Sequence, residues 1–376
     1  MKKFIFTLLL IPFLAFNAGS QTQITTPECA VYDEANNRFL VSCLAAGKVI
    51  AIDSNGNKSL FKSGFGYAFS ATIYGNTYYI SSNKYLKGFD LTTGNQVLNL
   101  YISSAHQLDG MTTDTNGFLY VTDAHYSGTG DQIYKINLQT SSYSVFANYS
   151  TGLADMPQDL WYDKPNNRLL IVYAVVNSPI HAISLADSTI STVLTNTPGI
   201  IDGIEMDNSG NYYLTCWTTN SLVKYDHNFS APPVTLLSGL NGPSNLGYDK
   251  VHNKLAVPVY NSDTVIFFPL TSIGIKKEES LYQQSTFELF QNYPNPFNPV
   301  TTIKFSVPAN GINKLIPVSL KIFDISGKEI SVLFNGLLNP GVYSYNFDAN
   351  NLPSGIYICR IESEEFSKSM RMTLIK

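Results

Sequence analysis

Leu108-Asp-Gly-Met-Thr-Thr-Asp-Thr-Asn-Gly-Phe-Leu-Tyr-Val-Thr-Asp123 sets the architecture, because it returns as Ile201-Asp-Gly-Ile-Glu-Met-Asp-Asn-Ser-Gly-Asn-Tyr-Tyr-Leu-Thr-Cys216. Each copy alternates apolar and polar residues, turns at an Asp/Asn/Gly cluster, and alternates again. That pattern predicts two antiparallel strands joined by a tight turn. A third strand is expected at Gln132–Asn137 after the first copy and at Ser221–Tyr225 after the second.

Four weaker copies fit the same skeleton: Cys29–Cys43, Ser70–Ser82, Asp159–Tyr173 and Asn245–Pro258. The residues that lead into the first strand of each copy are then Glu28, Phe69, Asp109, Gln158, Asp202 and Ser244, spaced by 41, 40, 49, 44 and 42 residues. A unit of about 40–45 residues with about four strands is a propeller blade. The chain therefore reads as all-β, with a six-bladed β-propeller over residues 21–272. Outer strands are expected at Ser59–Lys62, Val97–Ile102 and Val234–Leu237. The sixth copy lacks one, and Gln23–Thr26 is placed to pair there, closing the ring and hiding a sheet edge.

The ends carry different signals. Lys2 and Lys3, the apolar run Phe4–Phe16 and the small residues to Ser20 predict a secretory signal peptide over residues 1–20. The run is shorter than the roughly 20 residues that span a bilayer, and no later segment is apolar enough, so no transmembrane segment is expected after cleavage. Residues 273–285 read as a linker holding Lys276-Lys-Glu-Glu279. Over residues 286–376, alternation at Thr302–Val307, Val318–Phe323, Val342–Phe347 and Ile356–Ile361 predicts a small C-terminal β-sandwich.

That tail contains Glu288-Leu-Phe-Gln-Asn-Tyr-Pro-Asn-Pro-Phe-Asn-Pro-Val300, then Leu320-Lys-Ile-Phe-Asp-Ile-Ser-Gly327, Gly341-Val-Tyr343, Leu352-Pro-Ser-Gly-Ile-Tyr357 and Met372-Thr-Leu-Ile-Lys376. It resembles the type A sorting domain of the type IX secretion system of Bacteroidetes and their relatives. The resemblance implies contact with the type IX secretion machinery, passage through the outer membrane, and release or attachment at the cell surface.

Composition narrows the rest. The formal charge is −4 with 14% charged residues and no basic stripe, which argues against nucleic acid. The 24 Tyr and 22 Phe mostly occupy alternating strand positions, where sheet packing accounts for them. The four cysteines show no Cys-x-x-Cys spacing, so a zinc cluster is not expected. Cys29 and Cys43 fall nearly opposite one another in the first blade. A disulfide and two buried thiols are both open there. Cys216 shares the repeat slot of Cys43, and Cys359 is expected in the core of the tail. A monomer is expected.

In a propeller the residues entering the inner strands converge on one mouth of the channel. Glu28, Asp109 and Asp202, with Gln158 and Ser244, thus form a ring of oxygen donors suited to a hard cation such as Ca²⁺. Alternatively, Asp109 and Asp202 cap turns before Gly110 and Gly203. Glu28-Cys-Ala-Val-Tyr-Asp33, Asn37-Arg-Phe-Leu40, Ile201-Asp-Gly-Ile-Glu-Met-Asp207 and Leu214-Thr-Cys-Trp217 resemble the senescence-marker-protein and gluconolactonase family. The NHL-type repeat fits the same blades. The resemblance to the first family implies a channel Ca²⁺ or Zn²⁺ and hydrolysis of sugar lactones. Glu28 and Asp202 match two of its metal ligands. Gln158 and Leu108 stand where that family has Asn, and His106 where it has a substrate-binding Arg. On that reading Glu28, Asp202, Gln158 and Asp109 surround a metal, and Asp202 or His106 moves the proton. The other reading is a scaffold that binds an extracellular ligand, a glycan or a protein, through its channel face. His181 is expected to be structural, and His125 and the loop Ser127-Gly-Thr-Gly130 to be solvated.

Overall fold

The structure is a computed structural model that describes residues 21–124, 130–148, 152–270, 276–278, 286–308, 316–338, 340–350, 352–363 and 366–376. The predicted signal peptide, His125 and most of the loop ending at Gly130 lie outside the described residues.

Residues 27–269 form six antiparallel sheets whose strands pair in chain order. The first blade runs Pro27–Asp33, Arg38–Cys43, Lys48–Asp53 and Lys58–Ser63. The other inner strands are Ala71–Tyr74, Leu108–Thr113, Pro157–Asp163, Ile201–Met206 and Gly247–Asp249. Each inner strand touches the next around the ring, and the sixth touches the first, so the ring is closed. The third strands sit where the alternation placed them, at Gln132–Asn137 and Ser221–Tyr225.

Period-2 alternation sends successive side chains to opposite faces of a blade, and those faces become blade-to-blade interfaces. Six apolar clusters result, one per interface. Leu40, Val49 and Ala51 of blade one meet Ala71, Tyr78 and Ile80 of blade two, whereas Val41, Ile50 and Ile52 meet Ala256 of blade six. Tyr79 and Leu86 meet Val121 and Tyr134; Tyr120 and Ile133 meet Ile171 and Tyr173; Val172 and Ile180 meet Leu214 and Val223; Tyr213 and Leu222 meet Leu255 and Val257. This arrangement separates the cysteines. Cys29 packs between blades one and two and Cys43 between blades six and one, and both are free thiols. Cys216 takes the register position of Cys43, opposite Ile201 as Cys43 is opposite Pro27. Cys359 is fully buried in the tail.

The expected ring closure is corrected in one respect. Among the described residues blade six has three strands, and Gln23–Thr26 forms no ladder with its outer strand Thr264–Pro269. Instead Ile24 is buried in the cluster against which Val265 and Phe267 pack, and the Thr26 amide donates to Asp263 Oδ1 at 2.7 Å. The inner strands do the closing: Ala30 N donates to Asn245 O at 3.1 Å, and Asn245 N to Glu28 O at 2.9 Å.

The tail folds as two four-stranded sheets around its own core, with Ile303, Phe305, Leu320, Ile322, Cys359 and Met372 fully buried or nearly so. The predicted strands extend to Val300–Val307, Ile316–Asp324, Gly341–Asp348 and Gly355–Ser363. Glu329–Leu338 and Phe366–Leu374 complete the second sheet. Within the expected linker, Lys276–Glu278 is a short strand paired with Val342–Ser344, a contact too brief and too charged to show as alternation.

Candidate functional site at the channel mouth

The residues expected at the mouth share one backbone feature. The ladder between the first two strands slips by one residue at Glu28, at Gln158 and at Asp202, and in blade three across Asp109–Gly110. In blade six the Pro243–Val259 bridge, followed by the bond from Ser244 N to Pro258 O, brackets Ser244. A bulge inserts an unpaired residue and re-aims its side chain. Asp109 and Asp202 are therefore bulge residues within strands, and the turn-cap alternative does not hold for them.

The structure brings these side chains together. Glu28, Asp109, Gln158, Asp202 and Ser244 are all buried. The Gln158 amide donates to Asp109 Oδ2 at 3.2 Å. Burial, then the charges of Asp202 and Asp109, push the Glu28 carboxyl well above its usual range. Burial, then Asp109 and Asp159, do the same to Asp202. Carboxyls from blades one, three, four and five thus sense one another across the axis. Among the described residues Asp202 Oδ1 and Ser244 Oγ are buried with no hydrogen-bond partner. His106 is anchored beside the mouth by Asp123, which accepts from the His106 and Gln107 amides at 2.7 and 2.8 Å and faces the imidazole at 3.4 Å. Trp217 and Tyr260 flank the fifth and sixth blades on this side, their rings 5.8 Å apart. Trp217 N donates to Ile200 O, next to the Asp202 bulge, and burial, then the Glu28 carboxylate, raises the Tyr260 hydroxyl.

One residue further along each inner strand lies a layer that sequence reasoning did not pick out: Cys29, Ser70, Gly110, Asp159, Gly203 and Asn245. The Asn245 amide donates to Ser70 Oγ at 3.3 Å, and Ser70 Oγ sits 3.8 Å from Cys29 Sγ. Asp159 Oδ2 accepts from Ile204 N at 3.0 Å, and the Asn245 side chain works against burial in setting the Asp159 carboxyl. Glycine is required where this network crosses the axis: a Cβ on Gly110 would meet Asp159 Oδ1 at 2.6 Å, and one on Gly203 would meet Asn245 Cα at 2.7 Å. The signal was present in the repeat, since Asp159 stands where the two clearest copies have Gly110 and Gly203.

This polar layer separates the mouth from a cavity of about 1150 Å³ at the other end of the channel. Asp159, Glu205 and Asn245 line its floor, with Val31, Ile73 and Leu246 on its walls. Burial raises the Asp159 carboxyl to about 7 and the Glu205 carboxyl to about 8. His181 is structural, with its Nδ1 2.8 Å from the Tyr173 hydroxyl.

The mouth residues fit a metal only in part. Two carboxyls, Glu28 and Asp202, could hold one, but Asp109 is engaged by Gln158 and Leu108 presents hydrocarbon. Among the described residues no group of three or more His, Cys, Asp or Glu gathers to hold a metal ion. The same residues include no helix long and apolar enough to cross a membrane.

Comparison with known proteins agrees with the two-part architecture. Residues 291–376 match the family described as secretion system C-terminal sorting domain. A gluconolactonase from Xanthomonas campestris superposes with a TM-score of 0.57 at 14% identity, over 66% of this chain and 87% of that one. Regucalcin from Agrobacterium tumefaciens, a calcium-binding protein, superposes with a TM-score of 0.52 at 15% identity, over 63% of this chain and 83% of that one. No curated protein matches the chain by sequence. At these identities the likeness shows the fold. The chain is a six-bladed β-propeller joined to a type IX sorting domain, and its place is outside the cell or on the cell surface.

Proposed function

We propose that the exported propeller is a binding scaffold that takes an extracellular ligand at the channel mouth. The observation that carries this reading is the pair of orphaned acceptors, Asp202 Oδ1 and Ser244 Oγ, buried beside Glu28. A buried polar atom without a partner costs about 1–3 kcal/mol, and a ligand that supplies the missing donors recovers that cost. Binding also needs no complete set of metal ligands. The test is a small-molecule and glycan screen by thermal melting of the 21–376 chain, repeated with Asp202→Asn. A ligand whose stabilisation disappears in the variant supports the reading; ligands that act equally on both proteins count against it.

A second reading, a divalent-metal-dependent lactone or ester hydrolase, is favoured by the Glu28–Asp202 pair on a gluconolactonase-like fold. Bound Ca²⁺ or Zn²⁺ would supply Lewis acidity there. Glu28 and Asp202 would hold it, and His106, steadied by Asp123, would be the group beside the mouth able to carry a proton. Turnover of a sugar lactone that requires added metal and is lost in Asp202→Asn would establish this reading over the first.

A further inference from the structure

Buried carboxyls with no positive partner are the unexplained property of the mouth. The Arg and Lys residues of the propeller that form ion pairs do so elsewhere. Arg38 pairs with Asp33 at 2.8 Å, Arg168 with Asp163 at 2.7 Å, and Lys254 with Asp249 at 3.5 Å. Those acids end the inner strands that Glu28, Gln158 and Ser244 begin, so the cations sit at the opposite end of the channel. Among the described residues neither Glu28 nor Asp202 forms an ion pair. A neutral ligand offers these neighbouring carboxyls no counter-charge, and a hard metal ion lacks enough ligands once Leu108 and the Gln158–Asp109 bond are counted.

Beside the carboxyls stands an aromatic pair. Trp217 and Tyr260 are half-buried, with ring centroids 5.8 Å apart. Gly242, at φ +72°, lets the indole lie against the backbone, since a Cβ there would sit 3.0 Å from the Trp217 ring. Carboxylates next to an aromatic face suit a planar, weakly hydrated cation that donates a fork of hydrogen bonds and stacks.

We propose that the mouth recognises a guanidinium group, which Glu28 and Asp202 bind through its N–H donors while the Trp217–Tyr260 pair covers its face. The proposal rests on the mouth being the ligand site and names the chemistry of its ligand. Asp202 Oδ1 accepts one N–H, and Ser244 Oγ orients the group from the neighbouring blade. The guanidinium belongs either to a small free molecule or to an arginine side chain of a peptide.

The test measures binding of agmatine and of a hexa-arginine peptide to the 21–376 chain, with Ca²⁺ and the general ligand panel in parallel. The expected result is binding by at least one guanidinium probe, weakened at least tenfold by Asp202→Asn and by Trp217→Ala but retained in Trp217→Phe. Binding of agmatine identifies a small-molecule site; binding of the peptide alone identifies an arginine side chain. Equal binding by the Asp202→Asn protein, with its unliganded melt unchanged, overturns the proposal. So does silence of both probes while a panel ligand binds in an Asp202-dependent way, and that outcome leaves the scaffold reading standing. If no probe or panel ligand binds in an Asp202-dependent way, both fall.

Discussion

The Asn245 side-chain amide reaches from the sixth blade past the first to donate to Ser70 Oγ of the second at 3.3 Å. It ties blades two and six together at the axis. The same contact divides the channel into a mouth and a far cavity. A ligand at either end therefore meets its own set of side chains.

Removing this tie should be costly because it strands buried polar atoms. Asn245→Leu leaves the buried Ser70 hydroxyl short of a donor, for an expected loss of about 1–3 kcal/mol in urea unfolding. Ser70→Ala removes one acceptor only and should cost less. Equal and negligible losses would show that the network does not brace the ring.

A second set of ties is periodic. Ser42 Oγ donates to Phe69 O at 2.6 Å, Ser81 Oγ to Asp109 O at 3.2 Å, and Thr122 Oγ1 to Gln158 O at 3.3 Å. Each hydroxyl reaches from the second strand of one blade to the residue entering the inner strand of the next. Thr122→Val keeps the shape and deletes the bond, and should cost about 1 kcal/mol. It should also loosen the Gln158–Asp109 contact, read as faster amide exchange at the blade-four bulge.

Stability should fall as pH rises through the neutral range. Glu205 has a folded-state value of about 8 against 4.5 for an unperturbed Glu, and Asp159 about 7 against 3.8. The folded protein therefore holds protons that the unfolded chain has released. Their contribution is full below about pH 4 and is lost progressively up to about pH 8. Glu28 and Asp202 act with the same sign. The melting temperature should decline between about pH 5 and pH 8, and Glu205→Gln should flatten that slope. A slope unchanged in the variant would remove Glu205 as a cause.

The cysteines should behave as four separate thiols. Cys29 and Cys43 lie in different interfaces, and burial raises both thiols, so neither is poised to react. Thiol titration should find all four only after denaturation, and a reductant should leave the melt unchanged. A titre two thiols short under denaturing conditions would indicate a disulfide.

Much of this architecture was legible in the residues. The repeat of Leu108–Asp123 at Ile201–Cys216 gave the blade, and its spacing gave the number of blades. Turn residues between apolar runs located the strands, because both faces of each blade are buried and the second strands are buried along nearly their whole length. The positions of Glu28, Asp109, Gln158 and Asp202 followed from the repeat, although the bulges that turn them inward did not, since each is the second residue of its strand and too near the end for the phase shift of a bulge to show. Gln23–Thr26 misled because Ile24 is apolar for packing in the cluster that Val265 and Phe267 cover rather than for pairing. Asp159, Asn245 and Glu205 were missed because each looks like an ordinary strand residue until six blades bring their inner strands to one axis. Asp159 and Asn245 carried a warning, as polar residues in the slot where the two clearest copies have Gly110 and Gly203.

Binding of an organic ligand at the mouth, through Asp202 and without a metal, can be checked in one series of thermal melts. The 21–376 chain is melted with Ca²⁺, with Zn²⁺, with EDTA and with agmatine, beside Asp202→Asn. The expected melt is indifferent to both metals and to EDTA, raised by agmatine, and unresponsive to agmatine in the variant. At 100 times its dissociation constant a ligand adds about 2.7 kcal/mol, enough to see. A melt raised by Ca²⁺ or Zn²⁺, reversed by EDTA and abolished in Asp202→Asn would contradict this and return the mouth to metal chemistry.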